Sequence, residues 1–198
     1  KHKAVIECGD IRKLRESSVI RGTTPWGLLR NVWFHVTLYW CRRGTEGQRD
    51  LIKNSFSFQF DDEGREYARM THDESEKNNP GGLDDTPSAK KEARMYSCSK
   101  DPDVDGLSCL KKFLSKLNPG CEALFQYPRA PQNLKETDQV WYDRRPLGIN
   151  KLATMMRQIS VEAELSKIYT NHCVRATAIT LSSDAEIPRC LGIREPKR

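Results

Sequence analysis

No CxxC pair occurs anywhere in this chain. Its seven cysteines, Cys8, Cys41, Cys98, Cys109, Cys121, Cys173 and Cys190, are scattered singly through 198 residues. A structural zinc site or a disulfide framework needs tighter spacing, so buried or idle thiols in a reducing compartment, cytosol or nucleus, are the expectation. Long apolar runs are missing as well. The most apolar segment, Trp26 to Cys41, is interrupted by Arg30, Asn31 and His35, too early to form a membrane span. Lys1-His2-Lys3 leads into mixed charged sequence rather than an apolar core, and so does not read as a signal peptide. The first residue is not Met, which suggests a fragment or domain of something longer.

What is present is ordinary globular composition, 37% hydrophobic with four Trp, enough for one good core or for one domain plus an arm. The net charge of +6 and a pI of about 9.0 favour a polyanionic partner, a property shared by many basic proteins that bind none.

Residues 1–20 are polar and basic with a weak helical pattern in Ile11, Leu14 and Val19, and read as a linker or the tail of an upstream domain. Thr24-Pro25 is a strong helix start. Trp26, Leu29, Val32, Trp33 and Val36 then keep a 3.6-residue period, which predicts the main buried helix, ending near Arg42-Arg43-Gly44. Thr45 can cap a short helix over 46–52. Arg42 and Arg43 could serve simply to neutralise the end of the preceding helix. Residues 54–60 alternate strictly and 66–71 return after Asp61-Asp62-Glu63-Gly64, a predicted hairpin. Residues 72–88 form a polar loop carrying Lys77, followed by a third strand over 93–96. Asp105 caps a helix with Leu107, Leu110, Phe113, Leu114 and Leu117 on one face. Residues 123–125 read as a short buried strand, 127–145 as a long Pro-rich surface loop, and Leu152 to Ala163 as one helix with its Met pair in the core.

The last predicted helix carries the chemistry. Thr170 or Asn171 is a good N-cap, and Val174, Ala178, Ile179 and Leu181 recur at roughly helical spacing. His172 and Arg175, three residues apart, share one face of its first turn. That turn also offers unpaired backbone N–H groups and the positive end of the helix dipole, so the arrangement suits a phosphate. Alone, HxxR is equally the pattern of a His at a helix start beside an Arg on a solvated face.

These elements come in an order that resembles the catalytic domain of tyrosine recombinases of the Crypton transposon type, the domain also found domesticated at the C-termini of MYM-type zinc-finger and glutamine-rich nuclear proteins. The resemblance spans nearly the whole chain from Ile11. It is carried by Pro25-Trp26-Gly27-Leu28-Leu29, Arg43-Gly44-Thr45-Glu46-Gly47-Gln48-Arg49-Asp50-Leu51, Gly64-Arg65-Glu66-Tyr67, Lys77-Asn78-Asn79-Pro80-Gly81-Gly82, Leu114-Ser115-Lys116-Leu117-Asn118-Pro119, Val140-Trp141-Tyr142, Pro146-Leu147-Gly148 and Tyr169-Thr170-Asn171-His172. It implies an α+β fold, mostly helical, with a small three-stranded antiparallel sheet. The recombinase-like domain would occupy 21–190, with a divergent tail over 191–198.

In such enzymes a Tyr attacks the scissile phosphodiester. Two arginines hold the non-bridging oxygens, a loop Lys protonates the leaving oxygen and a His assists. By resemblance the arginines are Arg43 and Arg175, the Lys is Lys77 and the His is His172. Bidentate geometry explains why Arg is expected at such a clamp. The departure comes next: an active enzyme continues to a second His or Trp and then to the nucleophile, whereas all six tyrosines here precede Arg175.

The resemblance therefore implies a nuclear DNA-binding domain that keeps the phosphate site formed by Arg43, His172 and Arg175, with Lys77 beside it, but lacks the nucleophile and is inactive in DNA recombination and integration. Two further readings stand beside it: an active transposon recombinase represented by a truncated chain, and a nuclear protein-interaction domain that does not touch DNA. No cofactor or metal is implied, DNA is the expected partner alongside possible nuclear proteins, and no membrane association is expected.

Overall fold

Helix α2 (Pro25–Trp40) forms where the sequence signals a start: the Thr24 hydroxyl accepts the Gly27 N–H at 3.1 Å, and Pro25 occupies the first helical position. A computed structural model describes residues 4–40, 44–71 and 93–180, with the side chains of 44–46 left aside. Around α2 the order is α1 (Cys8–Glu16), α3 (Gly44–Arg49), strands β1 (Phe56–Phe60), β2 (Glu66–Met70) and β3 (Met95–Tyr96), α4 (Gly106–Lys116), β4 (Gln126–Pro128), β5 (Tyr142–Pro146), α5 (Ile149–Ala153), α6 (Met155–Glu162) and α7 (Asn171–Thr180). The class is α+β, mixed helix and sheet with small antiparallel sheets.

Not only the apolar stripe of α2 is buried. Leu28, Leu29, Val32, Trp33 and Val36 are inside, but so are Arg30, Asn31, His35 and Thr37. Such groups must find partners in the interior. Asn31 donates to the carbonyls of Ile20 and Val104 at 3.0 and 3.2 Å. Arg30 makes a two-pronged contact with Glu162 at the end of α6, both bonds 2.6 Å. The Trp33 indole donates to Gln48 at 2.7 Å, and Gln48 donates to Thr37 at 3.0 Å, which fastens α3 to α2. His35 lies against Asn31 O at 2.9 Å, and burial holds its pKa below 6.5. A side chain at Gly106 would come within 2.6 Å of the His35 ring, so glycine is what lets α4 pack this closely.

The hairpin forms as its pattern predicts. Phe56 pairs with Met70 and Phe60 with Glu66, the Asp61 carboxylate accepts the N–H groups of Glu63 and Arg65, and Gly64 takes the left-handed conformation at φ 74°. β3 joins the far side of β2, giving the order β1-β2-β3. Asp105 caps α4, accepting from Ser108 N at 2.9 Å.

Thr45, expected to cap a helix over 46–52, lies inside α3, which ends at Arg49, and three further segments depart from their sequence reading. Residues 4–20, read as a linker, belong to the same core as α2: Ile6, Ile11, Leu14 and Ile20 are at most 1% exposed. The polar surface of α1 hides a short apolar edge that finds its partner far along the chain. The stretch 127–145, read as a surface loop, holds most of a second two-stranded sheet, β4 with β5. Its anchor is Tyr142, fully buried, with a hydroxyl that donates to Pro25 O at 2.8 Å. The regular strand lies at 126–128, while Ala123 makes only an isolated bridge to Ile52. Finally, the helix expected through 152–163 is broken at Thr154 into α5 and α6, although Leu152, Met155, Met156, Ile159 and Ala163 still all face the core.

Leu14→Ala tests whether α1 belongs to the domain. As a buried core truncation it should cost about 2–5 kcal/mol in urea unfolding; a substitution in a linker would change nothing.

Candidate phosphate-binding site

Helix α7 is built to hold its first turn still. Cys173, Val174, Thr177 and Ala178 face the core, while His172 is exposed and Arg175 half-buried on the opposite side. Asn171 is the first residue inside α7 rather than its cap, and its side chain is spent elsewhere. Its amide donates to Leu152 O at 2.8 Å and accepts from Met156 N at 3.1 Å, bridging the break between α5 and α6 to the start of α7. One turn on, Thr177 donates to Cys173 O at 2.8 Å and accepts the Ile6 N–H at 2.9 Å.

The segment leading into α7 is fixed by a buried carboxylate. Asp10 of α1 accepts the N–H and hydroxyl of Ser166 at 2.9 and 2.6 Å and the hydroxyl of Tyr169 at 2.6 Å. Burial raises the pKa of Asp10, but these bonds outweigh it and hold the carboxyl below its usual 3.8. Tyr169 is itself pushed upward, first by burial and then by Asp10. Lys167 pairs with Glu7, and Lys13 donates to Glu164 O, closing the same seam. Sequence reading missed Asp10 because it assigned α1 to a linker; the signal available was Asp10-Ile11 followed by Leu14 on one helical edge.

His172 and Arg175 stand at the second and fifth positions of a ten-residue helix, three residues apart and so on one helical face, near the end of the helix where the dipole favours an anion. Arg43 and Lys77 lie outside the described residues. Their neighbours in sequence are placed: α3, which begins at Gly44, packs against α5, the helix whose Leu152 carbonyl holds Asn171, and β2 and β3 flank the segment that contains Lys77. Among the described residues no group of His, Cys, Asp and Glu is placed to hold a metal, and no helix is long and apolar enough to cross a membrane. The chain matches no family model, no curated protein and no solved structure.

The Asp10 network predicts an acid-sensitive seam. A carboxyl with a depressed folded pKa contributes stability above its unfolded value of 3.8 and loses it as pH falls through the folded value. Asp10→Asn should lower the melting temperature at pH 7 and flatten its fall between about pH 5 and pH 2 relative to wild type, measured by circular dichroism. Parallel melting curves for the two proteins would contradict the role given to Asp10.

Proposed function

We propose that this chain is a DNA-binding domain derived from a Crypton-type tyrosine recombinase, and that it receives a backbone phosphate at the start of α7 while performing no strand cleavage. The observation that carries the reading is the pair His172 and Arg175, set side by side on an exposed helix start that Asn171, Thr177 and the Asp10 network hold in place. The ordered blocks of resemblance and the charge of +6 support it. Arg43 and Lys77 enter the site by resemblance, as the second clamp and the proton donor. A guanidinium and an imidazole supply charge-assisted bonds to phosphate oxygens without reading bases, so binding rests on the DNA backbone. Partners in the nucleus follow from the same resemblance.

No tyrosine here is a candidate nucleophile. All six precede Arg175, and the one beside the motif, Tyr169, is buried, bonded to Asp10 and raised in pKa. Tyr142 is fully buried and raised well above its ordinary value by burial.

Duplex DNA should bind weakly, with affinity falling steeply as salt rises through counterion release. Arg175→Ala should weaken binding to two unrelated labelled duplexes about equally, by about 1–3 kcal/mol, as for a lost charged hydrogen-bonding group. Salt-independent binding, or a mutant as tight as wild type, would favour a protein-interaction domain instead.

Incubation with a nicked suicide substrate should leave no covalent protein–DNA adduct on a denaturing gel. A trapped phosphotyrosyl adduct would return the chain to the active recombinases.

A further inference from the structure

Strands β4 and β5, with the segment 129–141 that joins them, border an open cleft of about 760 Å³. Tyr127, Arg129, Leu134, Val140, Asp143 and Arg145 are among the residues that line it. Its frame is fastened to α4. The Lys116 ammonium donates to the carbonyls of Glu136 and Asp138, Trp141 N–H donates to Lys116 O at 2.9 Å, and Arg129 N–H donates to Trp141 O at 3.0 Å. Walls that are already in place spare a ligand the cost of ordering them.

Two guanidiniums share one carboxylate in this cleft. Arg129 Nε lies 3.7 Å from Asp143 Oδ1, and Arg145 Nε lies 3.4 Å from Asp143 Oδ2. Arg145 also lies over the Tyr127 ring at 4.1 Å, and the Arg129 guanidinium donates to Val140 O at 3.3 Å. Each cation is thereby held by two contacts, yet Arg129 is 43% and Arg145 62% exposed. A guanidinium carries five N–H donors. Among the described residues those of Arg145 make no hydrogen bond, and those of Arg129 make one, to Val140. Beside them Leu134 and Val140, both half-buried, supply an apolar wall. Asn133 and Gln139 line the same space, and neither side-chain amide has a hydrogen-bond partner among the described residues.

We propose that this cleft binds a linear peptide in which an acidic side chain, carboxylate or phosphate, lies next to an apolar one. The acidic group takes the open N–H donors of Arg129 and Arg145 in the close, charge-assisted bonds that Asp143 does not make with them. The apolar neighbour rests on Leu134 and Val140, and the amides of Asn133 and Gln139 serve the peptide backbone. Charge separates a peptide from a nucleic acid here. The two arginines of the lining are balanced by Asp138 and Asp143, so a polyanion gains little from counterion release, whereas a single acidic side chain uses the donors locally. Asp138 is no rival for them, since its carboxylate accepts the Lys135 N–H at 2.9 Å. The cleft shares no lining residue with the His172 and Arg175 pair, and its occupancy does not depend on theirs.

Fluorescence anisotropy of labelled short peptides against the folded protein tests this. The probes alternate aspartate with leucine, phosphoserine with leucine, asparagine with leucine, and aspartate with glycine, and a labelled duplex is titrated alongside. At least one of the two acidic leucine peptides should bind, and the one that binds names the acidic group. The asparagine and glycine peptides should each bind about tenfold more weakly, the size of a lost charge-assisted bond or a lost apolar side chain. Arg129→Ala and Arg145→Ala should each weaken the acidic leucine peptide about tenfold and leave duplex binding unchanged. Both positions are exposed, so the variants keep the fold, which their circular dichroism melting curves check. Arg157→Ala, which removes an equal charge from the exposed side of α6, and Arg175→Ala should bind the peptide like wild type. No binding of either acidic peptide at low salt, an asparagine peptide as tight as the acidic ones, or arginine variants no weaker than Arg157→Ala would each overturn the proposal. Duplex binding that falls with Arg145→Ala while peptide binding does not would overturn it in favour of a nucleic-acid surface.

Discussion

The demand that sets this architecture is polar satisfaction around α2. A helix buried on nearly all sides leaves little water for Arg30, Asn31, His35 and Thr37, and each unsatisfied group costs about 1–3 kcal/mol. Among the described residues Arg30 Nε and Asn31 Oδ1 are buried without a partner, while the other bonds of these side chains are made. Meeting that demand dictates where neighbours go. Asn31 draws in the turn at Ile20 and the entry to α4 at Val104, Arg30 fixes the end of α6, and the Trp33–Gln48–Thr37 chain holds α3. Apolar packing would hold these elements close; the hydrogen bonds choose one arrangement among the close ones.

That arrangement reaches the helix carrying His172 and Arg175 through α5 and α6. The break at Thr154 frees backbone groups on both sides, and Asn171 takes one from each: the Leu152 carbonyl and the Met156 N–H. The irregularity of one segment becomes the anchor of another. On the opposite flank, Asp10 and Thr177 tie α7 and its approach to the amino-terminal segment. The helix start that carries the proposed phosphate pair is thereby backed by buried bonds.

What was legible in the sequence was local. Thr24-Pro25, the Asp61 to Gly64 turn and the Asp105 cap each contain the hydrogen-bonding partners that define them within a few residues, and each is found where expected. The His172–Arg175 spacing is likewise local, so their placement on one turn could be read directly. Long-range determinants were not legible. Nothing near Leu14 states that it will be covered, and nothing in the Pro-rich stretch around Tyr142 states that its hydroxyl will reach Pro25, 117 residues away. The break at Thr154 is invisible to periodicity because both halves present the same apolar face. The relation of Arg43 and Lys77 to this turn falls outside the described residues.

Helix α1 has a consequence for synthesis. Its partners come much later in the chain: Asp10 meets Ser166 across 156 residues, and Ile6 meets Thr177 across 171. On a ribosome moving from the amino end, Ile6 and Asp10 leave the tunnel long before Ser166, Tyr169 and Thr177 exist to meet them. The growing chain must therefore carry this amino-terminal segment without its far partners until the last described helix has been made. Closure of this seam is the high-separation step of folding, and it ties the earliest-made segment to the latest-made one.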